Sequence, residues 1–382
     1  MQKKKILINL ITSDGKVTNP LLWKLEHYPD ELFELTIFCN KTTRDAIENS
    51  NVKIRNLEFF DFPYGNQPKS KMEFMFECLW RNLLSILYVK KVAKNFDIVY
   101  SNSSVLDLVL FPFLVKIANK KIKWVTVFDN VVPFWDPGNK ILRLLSWLFF
   151  RISLILIRRA DIIFASTKDL MLFLTKRYDR QKLVQSNLGC DARSILASKY
   201  RKEYDFDGLY LGRINETKGI DDMLAVLSLV KKRYPKFRLA MVGKGDLNTI
   251  NKYKQKIDKL GLSDNVRMLG WVDEKTKYDL LRSAKTFWFL SKSECESFGI
   301  ALLEAVCSGK PAFVYNLKQM KDIYRHNEIY LHNIGDVKSV ADDVINVFDN
   351  KLFANKKGEK LLGKYLWKTV AEIEVGAIKK LK

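Results

Sequence analysis

Short apolar runs rich in β-branched and aromatic residues alternate along the chain with longer segments of helical period. In the first half the short runs are Ile6–Ile11, Leu35–Phe38, Ile54–Phe59, Ile98–Ser101, Ile122–Phe128, Ile162–Ala165 and Leu183–Gln185. Their length and residue types predict strands. Alternation of such strands with helix-length segments predicts a parallel sheet covered by helices. Residues 190–206, CDARSILASKYRKEYDF, are polar, carry no strong period and read as a linker. The alternation then restarts with strand candidates Gly208–Leu211, Arg238–Val242, Val266–Leu269, Thr286–Leu290 and Ala312–Val314, and helix candidates Ile220–Tyr234 and Thr249–Leu260. The expectation is an α/β chain of two doubly wound domains facing across a cleft. Its parts are a first domain over 1–190, a linker over 191–206, a second domain over 207–355 and a closing helix over 356–382. Ligands of such sheets sit beyond the carboxyl ends of the strands.

Composition narrows the class. The 382 residues are 47% hydrophobic and 28% charged, so a disordered chain is excluded. The opening apolar run is too short for a secretory signal, and no uncharged stretch is long enough to span a membrane. Cys39, Cys78, Cys190, Cys295 and Cys307 form no CxxC pair and no zinc spacing, which points to a reducing, cytoplasmic setting and to no metal site.

Sixty-five Lys and Arg against 43 Asp and Glu give a net charge of +22, and its distribution is uneven. Between Trp80 and Ala160 stand thirteen basic residues and four acids. They surround Ile141–Arg159, ILRLLSWLFFRISLILIRR, in which Arg143, Arg151 and Arg158 would fall within an arc of about 80° on a helix. A cationic stripe on an apolar cylinder predicts an anionic membrane surface as partner and a peripheral location on the membrane's cytoplasmic face. The alternative is a core helix whose arginines snorkel to solvent. No nucleic-acid-binding module is recognisable, so nucleic acid is not expected as a partner.

Three segments carry candidate chemistry. In LYLGRINETKGI, Gly212 and Arg213 follow a strand, and Lys218 and Gly219 precede a helix. A guanidinium and an ammonium at one strand-to-helix turn suit a diphosphate, although a surface loop can carry the same charges. In MVGKGD, Gly243 and Gly245 bracket Lys244 after a strand, as a tight turn near a phosphate requires; ordinary turn chemistry explains the pair equally well. In SKSECESFGIALLEAVCSGKPAFV, Phe298 and Gly299 open a helix that Ser308 and Gly309 close. Free amides at Gly299, Ile300 and Ala301 would cradle a phosphate. Glu296 before that helix and Glu304 within it could each bind sugar hydroxyls.

These elements, with LGLSDNVRMLGWV and the E-x7-E spacing of ESFGIALLE, resemble a retaining glycosyltransferase of family 4 with the GT-B fold, two Rossmann-like domains facing across a cleft. TVFDNVVP, RADIIFAST, NLGCD and the closing YLWKTVAEIEVGAIKKL extend the resemblance over the chain. It implies a nucleotide-diphosphate sugar as donor and a glycan or lipid-linked acceptor. Arg213 and Lys218 would neutralise the diphosphate, aided by amides near Gly299 to Ala301. Glu304 would bind ribose and Glu296 the transferred sugar. Backbone at Gly270, Trp271 and Val272 would meet the base, and Gly15 would border the acceptor side. Where the family has His before Asp, this chain has Phe128 before Asp129. Either Asp129 or Asn130 then contacts the sugar, or the chain is a degenerate relative that binds nucleotide without turnover. A metal-binding role for Asp205-Phe206-Asp207 is not expected, because the triplet precedes its strand.

Overall fold

A computed structural model describes residues 3–11, 19–50, 52–64, 71–134, 140–293, 296, 298–325 and 327–381. The chain forms two compact units, Met1–Gly189 with Trp367–Lys382, and Cys190–Leu366.

Among the described residues the first unit holds seven strands: β1 (Lys4–Asn9), β2 (Phe33–Cys39), β3 (Glu58–Asp61), β4 (Ile98–Ser101), β5 (Lys123–Phe128), β6 (Ile162–Ala165) and β7 (Leu183–Gln185). Their order is β3-β2-β1-β4-β5-β6-β7 and all pairings are parallel. Each face carries its own apolar layer. Leu7, Phe38, Val99, Trp124 and Phe128 pack under the helices Leu106–Ala118 and Lys140–Leu156. Ile8, Ile37, Tyr100 and Phe164 pack under Asn19–Leu25 and the last helix, Trp367–Lys379.

That last helix is fixed by a buried polar knot. Glu374 pairs with Lys24 at 3.0 Å and accepts from Tyr28 Oη at 2.8 Å, Tyr100 Oη at 3.1 Å and Ser186 Oγ at 3.1 Å. An ion pair out of water persists only when further hydrogen bonds satisfy its remaining lone pairs, and here three hydroxyls do so.

The second unit holds β8 (Gly208–Leu211), β9 (Leu239–Val242), β10 (Val266–Gly270), β11 (Thr286–Phe289), β12 (Ala312–Tyr315) and β13 (Tyr330–His332), in the parallel order β10-β9-β8-β11-β12-β13. In each sheet the winding reverses once, between β1 and β4 and between β8 and β11.

Two expectations about connections change. Residues 191–206 are folded onto the second unit instead of spanning a gap: Lys199 N donates to Asp279 Oδ1 and Arg201 N to Ser283 Oγ, both at 2.8 Å. The region expected as one closing helix is divided. A short helix at Lys356–Glu359 and a 3-10 turn at Lys360–Gly363 stay with the second unit, and only Trp367 onward joins the first.

Candidate functional site

In the second unit the carboxyl ends of β8, β9 and β10 are tied to one another by main-chain bonds. Gly212 N donates to Val242 O at 2.9 Å, Ile214 N to Lys244 O at 2.8 Å and Gly243 N to Gly270 O at 2.7 Å. The contact at Gly243 tolerates no side chain, because a Cβ there would lie 1.8 Å from Gly212 O and its φ is 143°. Gly219 is equally constrained at φ 73°, with a built Cβ 1.8 Å from Leu290 O. Gly243 thus lets the loops after β8 and β9 meet, and Gly219 seats the helix start after β8 against the end of β11.

At the β8/β11 switch point lies a cavity of about 140 Å³ lined by Gly212, Arg213, Lys218, Ser291, Glu296, Gly299, Ile300 and Ala301 among others. Gly299, at φ 65°, caps the helix Ile300–Cys307, and the free amides of its first turn point out of its start. Phe298 is buried against Tyr365 with ring centroids 5.7 Å apart, which fixes the chain's entry into the helix. Arg213 is exposed and pairs with no carboxylate among the described residues; its carbonyl is held by Tyr210 Oη at 2.7 Å. Lys218 behaves differently. It is paired with Glu296, whose Oε2 also accepts from Ser291 Oγ at 3.0 Å.

Glu304 sits within the same helix and is 2% exposed. Lys277 Nζ and Tyr278 Oη, neighbours on the helix Glu274–Ser283, both reach its Oε1 at 2.8 Å. Burial drives the Tyr278 hydroxyl far above its ordinary pKa and Glu304 adds to the effect, so it remains a donor. Burial opposes the Lys277 charge, but Glu304 and Glu274 outweigh it and hold its pKa above the usual lysine value. Trp271 follows β10 as an exposed ring with Lys244 Nζ 5.3 Å from its centroid, beside Val272; Gly245 faces Ile214 O, where a Cβ would come within 2.7 Å.

In the first unit, Asp129 and Asn130 follow β5. The Asp129 carboxylate accepts from Ser103 Oγ at 3.1 and 3.0 Å and from Ser104 Oγ at 3.4 Å. Burial raises its pKa, and these hydrogen bonds pull the other way. Phe128 is fully buried and stacks on Phe173, centroids 5.6 Å apart, so this position serves the core. Gly15 lies outside the described residues. Asp205-Phe206-Asp207 sits at the amino end of β8, where Asp207 pairs with Lys285 at 2.7 Å and accepts from Arg238 N at 2.9 Å.

The cavity therefore gathers Arg213, Lys218, Glu296 and the Gly299–Ala301 turn, with Glu304 further along the same helix. Sequence reading missed Lys277, Tyr278, Ser291, Ser103 and Ser104, which hold the carboxylates in place. Their only signal is proximity in the fold.

Comparison with known proteins gives a consistent picture. Residues 194–361 match the family model described as glycosyl transferases group 1. A phosphatidyl-myo-inositol mannosyltransferase of Mycobacterium leprae is 30% identical over 168 residues, 43% of this chain and 43% of the relative. The chain spans about half the length of the curated relatives it matches. Sucrose-phosphate synthase from Thermosynechococcus elongatus superposes with a TM-score of 0.80 at 14% identity, covering 99% of both chains. Anabaena Alr3699/HepE in complex with UDP and glucose gives 0.75 at 15% identity, covering 98% of this chain and 99% of the other. At these identities the likeness is one of fold.

Proposed function

From a second unit that matches the family model of glycosyl transferases group 1, we propose that the chain moves a hexosyl group from a nucleotide-diphosphate sugar to a lipid-linked or cell-envelope glycan acceptor, with retention at the anomeric carbon and without a metal ion. The single observation that carries this reading is the meeting of Arg213, Lys218 and the amides of a helix start in one cavity at the β8/β11 switch point. Two cations and a helix N-terminus match a diphosphate in charge and in hydrogen-bond donors.

In the proposed reaction the bond between the anomeric carbon and the diphosphate oxygen breaks, and the acceptor hydroxyl oxygen bonds to that carbon from the same face. The acceptor proton passes to the departing phosphate oxygen, so no side-chain base is required. Arg213 and Lys218 stabilise the charge that develops on the leaving group, which makes a metal ion dispensable. Donor binding would draw Lys218 from Glu296 to the diphosphate and leave the Glu296 carboxylate to bind sugar hydroxyls. The Glu304 carboxylate is assigned to a ribose hydroxyl. The loops bearing Gly243, Gly245, Trp271 and Val272 are assigned to the nucleotide. Asp129 and Asn130 are the first unit's candidates for substrate contact. The mannosyltransferase relative, named for phosphatidyl-myo-inositol, supports a lipid-linked acceptor, and with such an acceptor goes the proposal of a peripheral place at the cytoplasmic membrane.

A thermal-shift screen over UDP-, GDP- and ADP-sugars is expected to find one that raises the melting point. That donor should then release nucleotide diphosphate in the presence of a lipid-linked acceptor. Absence of stabilisation by every donor would overturn the reading. The buried, stacked Phe128 favours a second reading, a nucleotide-sugar binder without turnover. Tight donor binding with no diphosphate release under any acceptor would select it.

A further inference from the structure

The first unit presents to solvent two apolar helix stripes that its own core does not need. On Lys140–Leu156, Phe150, Ser153 and Leu154 face inward, whereas Leu144, Leu148, Ile152 and Ile155 stand 41–61% exposed. At 100° per residue these four fall within about 80° of arc. On Lys71–Ser85, Phe76, Leu79, Trp80 and Leu83 are 50–66% exposed within about 100° of arc. Leu87, in the turn that follows, is 78% exposed and prolongs the second stripe. The helix Leu106–Ala118 packs against both of these helices, so they flank it on one side of the sheet. Exposed apolar stripes of this kind mark an interaction face.

Charge decides what covers it. Beside Ile155, a cavity of about 100 Å³ is lined by Arg151, Arg158 and Arg177 with Leu154, Ile155 and Tyr178, and by no acid. Tyr178 Oη donates to Leu154 O at 2.7 Å and closes the inner wall, while Arg177 is anchored beside it, its Nη1 donating to Phe173 O at 2.8 Å and its guanidinium 3.7 Å from the Phe173 ring centroid. The Ile141–Arg159 segment contains no Asp or Glu. Exposed Lys90, Lys91 and Lys94 follow the second stripe. A protein partner would have to match two separate stripes and three arginines at once. A bilayer surface with phosphate headgroups above hydrocarbon needs no such match. Apolar side chains beside guanidinium groups fit the depth profile of an anionic lipid interface.

We propose that the exposed stripes of Lys71–Ser85 and Lys140–Leu156 form one docking face for an anionic phospholipid bilayer, with Arg151, Arg158 and Arg177 gripping a headgroup phosphate beside the inserted Ile155. This deepens the peripheral-membrane part of the proposed function by naming the surface, and it adds a second helix that the charge pattern alone did not reveal.

The test is flotation of the full chain with vesicles of phosphatidylcholine alone or with phosphatidylglycerol. Binding is expected only to the anionic vesicles and should fall as salt rises. The triple variant Arg151→Glu/Arg158→Glu/Arg177→Glu should lose about tenfold or more in vesicle affinity. Leu148→Ser/Ile152→Ser/Ile155→Ser should lose binding at all salt concentrations, and Leu83→Ser/Leu87→Ser should weaken it to a smaller degree. An unchanged donor-induced thermal shift in each variant verifies that it folds. Equal binding to both vesicle types, or full binding by the arginine variant, overturns the proposal. So does an effect of inorganic phosphate on melting temperature without any vesicle binding. Failure to bind vesicles with donor binding and turnover intact sinks only this inference. Vesicle binding without any donor response sinks only the transferase reading.

Discussion

The two units share one plan, a parallel sheet wound both ways from a central switch point, yet they use it in opposite directions. The second unit spends its residues on the carboxyl ends of its strands. Main-chain bonds lace the loops after β8, β9 and β10, and charged side chains converge there. The first unit spends them on its flanks. It keeps polar groups deep inside, around Lys24 and Glu374, and leaves apolar side chains outside, on Phe76–Leu83 and Leu144–Ile155. One scaffold thus supports a site built from backbone approach and a surface built from side-chain display. Function follows what decorates the sheet and cannot be read from the sheet itself.

The sharpest way to break this contrast is to remove the buried charge that the first unit depends on. Glu374→Ala strands Lys24 in a dry interior and should cost about 3–5 kcal/mol, read by denaturant unfolding as an early transition of the first unit alone. Simultaneous loss of both units would mean that they are not energetically separate. In the second unit, the leaving-group role proposed for Lys218 predicts that Lys218→Ala lowers kcat by roughly 10²–10³ with little change in melting temperature. A comparable loss of stability would recast it as part of the scaffold. Tyr278→Phe removes one of two donors to Glu304 Oε1 and should cost about 1 kcal/mol in donor affinity, a KM increase of roughly fivefold with kcat nearly unchanged. The smallest effect belongs to the first unit's caps. Asn40 Oδ1 accepts from Thr43 N at 2.9 Å, so Asn40→Ala should lower stability by about 1 kcal/mol and leave donor binding untouched.

The same contrast explains what the sequence discloses. β4, β6, β7 and β8 lie where their apolar runs place them, because buried parallel strands are apolar on both faces. β3 does not. Its expected run, Ile54–Phe59, ends where the strand Glu58–Asp61 begins, since Ile54 and Leu57 pack on the core from a turn in which Asn56 has φ 50°. β13 escaped notice as a three-residue edge strand with one neighbour. Residues 191–206 read as a linker because they bury only Ile195, on the short helix Ala192–Ala197, and Phe206, and otherwise dock through polar contacts of Lys199 and Arg201, which leaves no hydrophobic period. In the candidate site, glycines and charges at strand ends are visible because each stands at a sequence-defined turn. Lys277 and Tyr278 resemble ordinary surface residues of a helix until that helix is laid against Glu304. Phe128 is visible as a departure, and only its stacking on Phe173 explains why a large apolar ring belongs there.

The knot around Glu374 also bears on the order in which the protein is made. Three of its members, Lys24, Tyr28 and Tyr100, leave the ribosome some 270–350 residues before the carboxylate that they await. The second unit, contiguous from Cys190 to Leu366, is by then fully translated. Synthesis at about 5–20 residues per second leaves the earlier sheet without its capping helix for tens of seconds. During that interval its apolar face beneath the missing helix stays uncovered, so chaperone dependence should be concentrated in the part of the chain that is born first.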